Sequence, residues 1–444
     1  MRNPHLRRLL RDPLVLPFYV PSVALYLGFS LLIPVLPLYA EGFGVSYGWI
    51  GAVASAQALG TLVADLPAGM VLRRLGQKRA MLMGMAVLVA MVVALFWAGS
   101  IVEAFVYRFV SGVGMALFSV ARHAYVTEHA AAASRGRVLA LFGGLMRVGR
   151  FVGPPIGGWI AVRMGLRVPF LISAIVTLPA MVAVTLFLHS GRHVARVART
   201  VPQPGSHGPA VVADGAWRRP GRQARSVLAS ARTAGVRLWS MLRQQAGVLV
   251  PAGFGHIFAQ MIRAGRDTII PLYAANALFL DVDQVGLMLG IAAAVEMVMA
   301  APAGWVIDTL GRKVSFVPSF GIQAVAMALV PFTRGFGGLL ACTAAIGMAN
   351  GLSSGGMLTL GSDLAPPNAR GEFLGVWRLI GDLGGTGGPA AVGFVADALA
   401  LPAAALTLAG AGFAASLVFG LLLPETLVRQ QPEPQAESPA TSAE

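Results

Sequence analysis

Cysteine is nearly absent. Of 444 residues only Cys342 carries a thiol, so no intramolecular disulfide and no cysteine-built metal site can form. Lysine is almost as rare, limited to Lys78 and Lys313. Charge is scarce altogether, at 12% of residues, where soluble domains carry about 25%. The chain offers no nucleophile elbow, no H-E-x-x-H and no Gly-rich phosphate loop followed by its lysine. These absences exclude a disulfide scaffold, a soluble enzyme and a motor that burns ATP. They leave no cofactor to expect.

What is there is apolar. Hydrophobic residues make up 56% of the chain, and the mean hydropathy is +0.71. A membrane-crossing helix needs about 20 mostly apolar residues. Twelve such runs are predicted, at 16–40, 47–72, 80–99, 101–127, 137–162 and 168–190, then at 247–276, 284–309, 314–333, 336–363, 372–398 and 401–423. The basic start "MRNPHLRRLLRDPLVLPFYV" leads into a long apolar run with no small-residue cleavage site, and reads as an uncleaved first helix.

The net charge of +15 does not point to nucleic acid. With both termini placed in the cytoplasm, the inner side holds Arg2, Arg7, Arg8, Arg11, Arg73, Arg74, Lys78, Arg79, Arg135, Arg137, ten arginines between Arg192 and Arg243, Arg312, Lys313, Arg370 and Arg429. The outer loops hold Arg163, Arg167 and Arg334. That asymmetry follows the positive-inside rule and sets the orientation. The expected location is a bacterial inner membrane, crossed many times.

The second half repeats the first at a shift of 235 residues. Gly69 and Gly304, Gly112 and Gly347, Glu128 and Asp363, Arg135 and Arg370, and Pro154 and Pro389 are such pairs. "PLYA" at 37–40 recurs at 271–274, one residue out of step. Parallel repeats of six helices are related by an axis along the membrane normal, with the substrate path between them. The expected organisation is a six-helix bundle over 1–190, a basic linker over 191–245, a second bundle over 246–424 and a polar tail over 425–444. The linker carries ten arginines against the single acid Asp214. From Arg225 to Arg243 its apolar residues recur near helical spacing, which fits a helix on anionic lipid headgroups as well as a solvated linker. A monomer suffices for this design.

Several stretches carry a family resemblance. "GMVLRRLGQK" at 69–78 and "GWVIDTLGRK" at 304–313 resemble the loop signature G-x-x-x-D-R-x-G-R-R/K of the major facilitator superfamily. The second copy keeps the acid as Asp308, and the first has Arg73 there. Gly69, Gly76, Gly304 and Gly311 suit close approach and a tight turn, and Lys78, Arg312 and Lys313 anchor it. The resemblance implies that the acid caps a neighbouring helix end and latches the halves in the outward-facing state, so the latch should be asymmetric. "GRFVGPPIGG" at 149–158 matches the fifth-helix pattern of the drug:proton antiporter branch. Gly149, Gly153, Gly157 and Gly158 would give small-residue packing, with Pro154 bending the helix. "RFVSGVGMA" at 108–116 resembles the fourth-helix pattern, with Ser111 in place of the usual Gln. There the resemblance implies that Arg108 tunes a nearby carboxylate.

Ionisable groups inside predicted helices are functional candidates. Glu296, Asp382, Asp267 and Asp65, with Arg108, are the candidates for proton coupling. Asp65 equally suits local packing beside Pro67. Arg147, Arg150, Arg263 and Arg266 are the candidate cavity residues. Arg147 and Asp382 occupy equivalent repeat positions and could meet across the axis. His123 and His256 titrate near neutral pH elsewhere, yet show no partner in sequence.

The expectation is an all-helical membrane protein of twelve spans in two pseudo-symmetric bundles. It would export a small amphipathic compound in exchange for protons, by alternating access. An organic-anion transporter is the alternative, because core arginines outnumber core acids. A non-transporting sensor is the third reading.

Overall fold

The computed structural model describes residues 18–129, 135–188, 246–366 and 370–426. The N-terminal arginines, the linker, the helix expected within it at 225–243, and Arg429 lie outside the described residues. Those described are helical, with no strand among them.

Twelve spans follow in order. In the first half they are Val20–Leu32 continued by Leu36–Glu41, then Tyr47–Leu75, Gln77–Trp97, Ile101–His129, Arg135–Met164 and Val168–Phe187. In the second half they are Ala246–Leu278, Val282–Thr309, Arg312–Leu329 with a short turn to Phe332, Phe336–Leu352 continued by Gly356–Leu364, Arg370–Ala398, and Leu401–Leu417 extended to Leu422. Seven of these helices are long and apolar enough to cross a membrane by composition alone, or eight with the second span, which bends between Asp65 and Pro67. The first span, Val20–Leu32, is too short for that test, and the fifth, seventh and eleventh, which carry ionisable and small residues among their apolar ones, do not pass it. That charge is affordable only where a helix faces a partner or a cavity.

Local chemistry sets the breaks. The tenth span stops at Ser353 and restarts after Gly355, whose φ of +80° suits glycine alone. The eighth span opens on a capping box between Asp281 and Gln284, which satisfies donors the helix start would leave orphaned. Pro154 and Pro155 lie inside the fifth span, where each removes a backbone donor from the helix ladder.

Packing repeats the sequence shift. In the first half the second span packs on the fourth, the first on the fifth and sixth, and the third on the fourth and sixth. The second half pairs the corresponding helices. Between the halves the fifth span packs on the eighth, and the eleventh on the second. Close backbone contacts are duplicated as well. A β-carbon built on Gly112 would lie 2.1 Å from the Gln57 carbonyl oxygen, and one on Gly347 would lie 2.2 Å from that of Ala292. Both the glycines and their partners are 235 residues apart.

The seams between the halves use the same device. A β-carbon on Gly286 would lie 2.3 Å from the Pro154 carbonyl oxygen, and one on Gly51 would lie 2.5 Å from that of Pro389. Gly158 meets Val282 and Gly393 meets Tyr47 in the same way. All four contacts lie toward the end where the second and eighth spans begin. At the opposite end, which carries Gly76 and Gly311, nothing stands within 4 Å of a β-carbon on Gly69 or Gly304. The halves are therefore pinned at one end and parted at the other.

Candidate functional site: a cavity between the two halves

A cavity of about 670 Å³ separates the halves. Tyr26, Gln57, Arg108 and Arg147 line it from the first half, and Asp267, Glu296, Arg378 and Asp382 from the second. The cavity follows from the packing, since the small-residue seams hold the bundles together on its flanks without filling the space between them.

One ion-pair chain crosses it at mid-height. Arg150 Nη2 donates to both oxygens of Asp267, at 2.9 and 2.6 Å. Arg266 Nε lies 3.5 Å from the same carboxylate, and Arg266 Nη2 donates to Glu296 at 3.1 Å. Two cations alternate with two anions, so the chain is balanced. It also ties the fifth span to the seventh and eighth, and hence one half to the other.

A second cluster lies nearer the parted end. Arg378 Nη2 is 3.2 Å from Asp65 Oδ2, and Arg378 Nε is 3.6 Å from Asp382 Oδ2 one helical turn away. The reading of Asp65 as a packing residue beside Pro67 therefore needs correction, because its carboxylate reaches the other half. The suggested meeting of Arg147 with Asp382 also does not occur. Arg147 donates to the Ser354 hydroxyl, while Asp382 lies one turn from Arg378 on its own helix.

Arg263 donates to Ser353 at 2.6 Å and lies over the Phe320 ring. Arg108 is 7% exposed, and none of the ion pairs among the described residues involves it. The carboxylate that the resemblance places beside it is not within reach in this conformation. Ser111 donates back to the Arg108 carbonyl oxygen at 2.7 Å. His123 Nδ1 bonds the Ser119 carbonyl oxygen, and His256 stacks on Trp377 at 4.5 Å.

The sequence reading missed Arg122. It is 3% exposed and its guanidinium lies over Phe142 at 4.4 Å, with Phe118 and Tyr26 alongside. Its signal was plain, an arginine inside an apolar run, but it belongs to none of the motifs weighed. Ser353 and Ser354 carried no signal, because a serine beside a glycine reads as a turn.

The fifth-span glycines pack on two sides. β-carbons on Gly153 and Gly157 would lie 2.4 Å from Ser30 Cβ and 2.0 Å from the Leu31 carbonyl oxygen. Gly149 sits against Leu27 of the same first span, and Gly158 against the eighth span of the other half.

The two loops also duplicate their anchors. Gly76 and Gly311 turn the chain with φ of +77° and +112°. Lys78 Nζ donates to the Thr185 carbonyl oxygen at 2.6 Å, and Lys313 Nζ to that of Gly420 at 2.9 Å. Gln77 donates to Glu128, and Arg312 Nε to Asp363 at 2.9 Å. Asp308, expected to cap a helix end, is exposed, and no hydrogen bond or ion pair of it occurs among the described residues. Glu425 takes that office, accepting from the backbone N–H groups of Arg312 and Lys313 at 2.9 and 3.0 Å. Arg73 is exposed as well. The halves are apart at this end, so a contact that bridges them has nothing to reach.

Comparison with known proteins agrees with this architecture. The model of the Major Facilitator Superfamily matches residues 22–265 and 252–443. A multidrug resistance protein of Bacillus subtilis is 28% identical over 164 residues, which is 37% of this chain and 40% of that protein. A chloramphenicol resistance protein of Acinetobacter baumannii is 27% identical over 35% of this chain and 37% of its own. The chain thus aligns with about two fifths of each of these two relatives. A transporter of the same superfamily from Methanocaldococcus jannaschii is 21% identical over 86% of this chain and 91% of its own length. Among solved structures, a peptide transporter with bound sulfate superposes with a TM-score of 0.68 at 15% identity, covering 92% of this chain and 93% of that one. A D-xylose–proton symporter gives 0.67 at 17% identity, covering 92% and 97%. These two show the fold alone. The chain belongs to the major facilitator superfamily, and it is a multi-pass membrane transporter rather than an enzyme.

Proposed function

We propose that this chain exports small amphipathic compounds in exchange for protons, by alternating access of the central cavity to the two sides of a bacterial plasma membrane. The observation that carries the reading is the cavity itself. It is lined from both halves, shut by glycine–carbonyl seams at one end and parted at the other. Two separate bundles that meet around one cavity can rock against each other, so that closing the parted end would open the other. Apolar wall with a few charged groups suits amphipathic ligands. The resemblance of the fifth span to the drug:proton antiporter pattern, and the two resistance proteins among the relatives, favour export. The arginine asymmetry favours cytoplasmic termini. The protein works as a monomer in this reading.

The test is transport by the purified full chain in proteoliposomes. Under an imposed pH gradient, ethidium or chloramphenicol should accumulate against its own gradient, and Asp382→Asn should collapse that accumulation. Binding of a probe without any counterflow would replace this reading with a sensor.

A further inference from the structure

The cavity contains one balanced charge cluster and one unbalanced one. Arg150, Asp267, Arg266 and Glu296 are two cations with two anions. Around Arg378 a single guanidinium faces two carboxylates, Asp65 from the first half and Asp382 from the second. One guanidinium compensates one carboxylate. Hydrogen bonding shows the same deficit, for Asp65 Oδ1 and Asp382 Oδ2 are buried and accept from no donor in the structure. The other charged groups near the cluster do not supply the missing cation, for Arg147 donates to the Ser354 hydroxyl and Arg108 is in none of the ion pairs among the described residues. Arg122 is turned into the Phe118, Tyr26 and Phe142 rings, and the His123 ring nitrogen is held by its own helix at the Ser119 carbonyl oxygen.

We infer that the Asp65–Arg378–Asp382 cluster is the coupling site, binding one exchangeable proton per cycle, with Arg378 as the positioning residue that keeps the count at one. The inference rests on the reading of this chain as a proton-coupled exporter. The proton arrives as hydronium through the cavity, which Asp382 and Arg378 line, forms an O–H bond on one carboxylate and leaves a water molecule behind. The other carboxylate keeps Arg378, and the cluster passes from one net negative charge to none. Two carboxylates sharing a site cannot both stay charged without a cost that a single proton removes. The cluster also straddles the seam between the second and eleventh spans, so its charge bears on how closely the halves approach at the parted end. Glu296 and Asp267, by contrast, are tied to arginines that already match them, and they serve as structural ties.

The experiment measures protons moved per probe moved, with the full chain in proteoliposomes, ethidium as probe and a pH-sensitive dye inside. Asp65→Asn and Asp382→Asn should each lower that ratio about tenfold or more, as expected when a coupling free energy of 1.4 kcal/mol or more is removed. Arg378→Lys keeps the cation and should preserve the ratio, and Arg378→Gln should shift the pH at which exchange is half-maximal. A purely structural role would slow probe and proton alike and leave the ratio unchanged, which overturns the inference. So would an intact ratio in Asp65→Asn with a lost ratio in Glu296→Gln. If Asp65→Asn fails to fold, Asp382→Asn and the Arg378 pair decide by the same criterion. A wild-type protein that moves no probe under any gradient rejects the exporter reading itself, whereas a coupled wild type with coupled variants rejects only this site.

Discussion

Gly158 of the first half lies beneath the Val282 carbonyl of the second, so close that a β-carbon there would come within 2.4 Å of the oxygen. The seam is backbone against backbone, and only a residue without a side chain permits it. Gly158→Ala should therefore part the halves at this end, with a cost of about 1–3 kcal/mol for overpacking. Thermal melting in detergent checks the cost. Gly144→Ala is the control, since a β-carbon there meets nothing within 4 Å, and it should change stability by no more than about 0.5 kcal/mol.

Among the described residues the Arg150–Asp267 contact is the shortest ion pair between the halves, at 2.6 Å. Asp267→Asn leaves Arg150 in the cavity without its anion, and Arg150→Gln does the converse. Each single variant should lose more transport than the double variant loses relative to either, because the double leaves no uncompensated charge. A double-mutant cycle on transport rate should give a coupling of about 0.5–3 kcal/mol. Strict additivity would mean that the pair does not act as a unit.

The loop near Gly311 makes two separable predictions. Glu425→Gln weakens the cap on the Arg312 and Lys313 N–H groups, and loss of such a cap costs about 0.5–2 kcal/mol. Melting should register it. Asp308→Asn touches nothing in the present conformation, so it should leave the melting point alone and instead lengthen the time spent with this end parted. Distances between spin labels on the two loops measure that time. Arg73→Asp should act in the opposite sense, restoring the acid that the first copy lacks, and an equal shift in the same direction would contradict an asymmetric latch.

Much of the fold was legible in the residues. Twelve apolar runs and a 235-residue shift dictate two similar bundles, and the spans begin and end within a few residues of their expected places. The fifth, seventh and eleventh spans were read as apolar runs with the rest, and the repeat agreed with that count. The partners of the charges were less legible. Spacing places Asp65 near the end of the second span, but says nothing of which helix of the other half it faces. That is set by the crossing of the second and eleventh spans, which depends on glycines hundreds of residues apart in the chain. The same limit separated Arg147 from Asp382. Equivalent repeat positions lie on equivalent helix faces, yet the Arg147 guanidinium ends at Ser354 while Asp382 sits beside an arginine of its own helix. Glu425 was assigned to a polar tail because composition cannot reveal that a chain end folds back onto a helix start.

The central claim is that a proton gradient drives compounds through the cavity between the halves. Its most direct test is ethidium movement by the purified full chain in proteoliposomes, with an imposed pH gradient and a protonophore added midway. The account predicts accumulation against the ethidium gradient that begins with the pH step and collapses when the protonophore is added. Accumulation indifferent to the protonophore, or none beyond that of protein-free vesicles for ethidium and chloramphenicol alike, would contradict it.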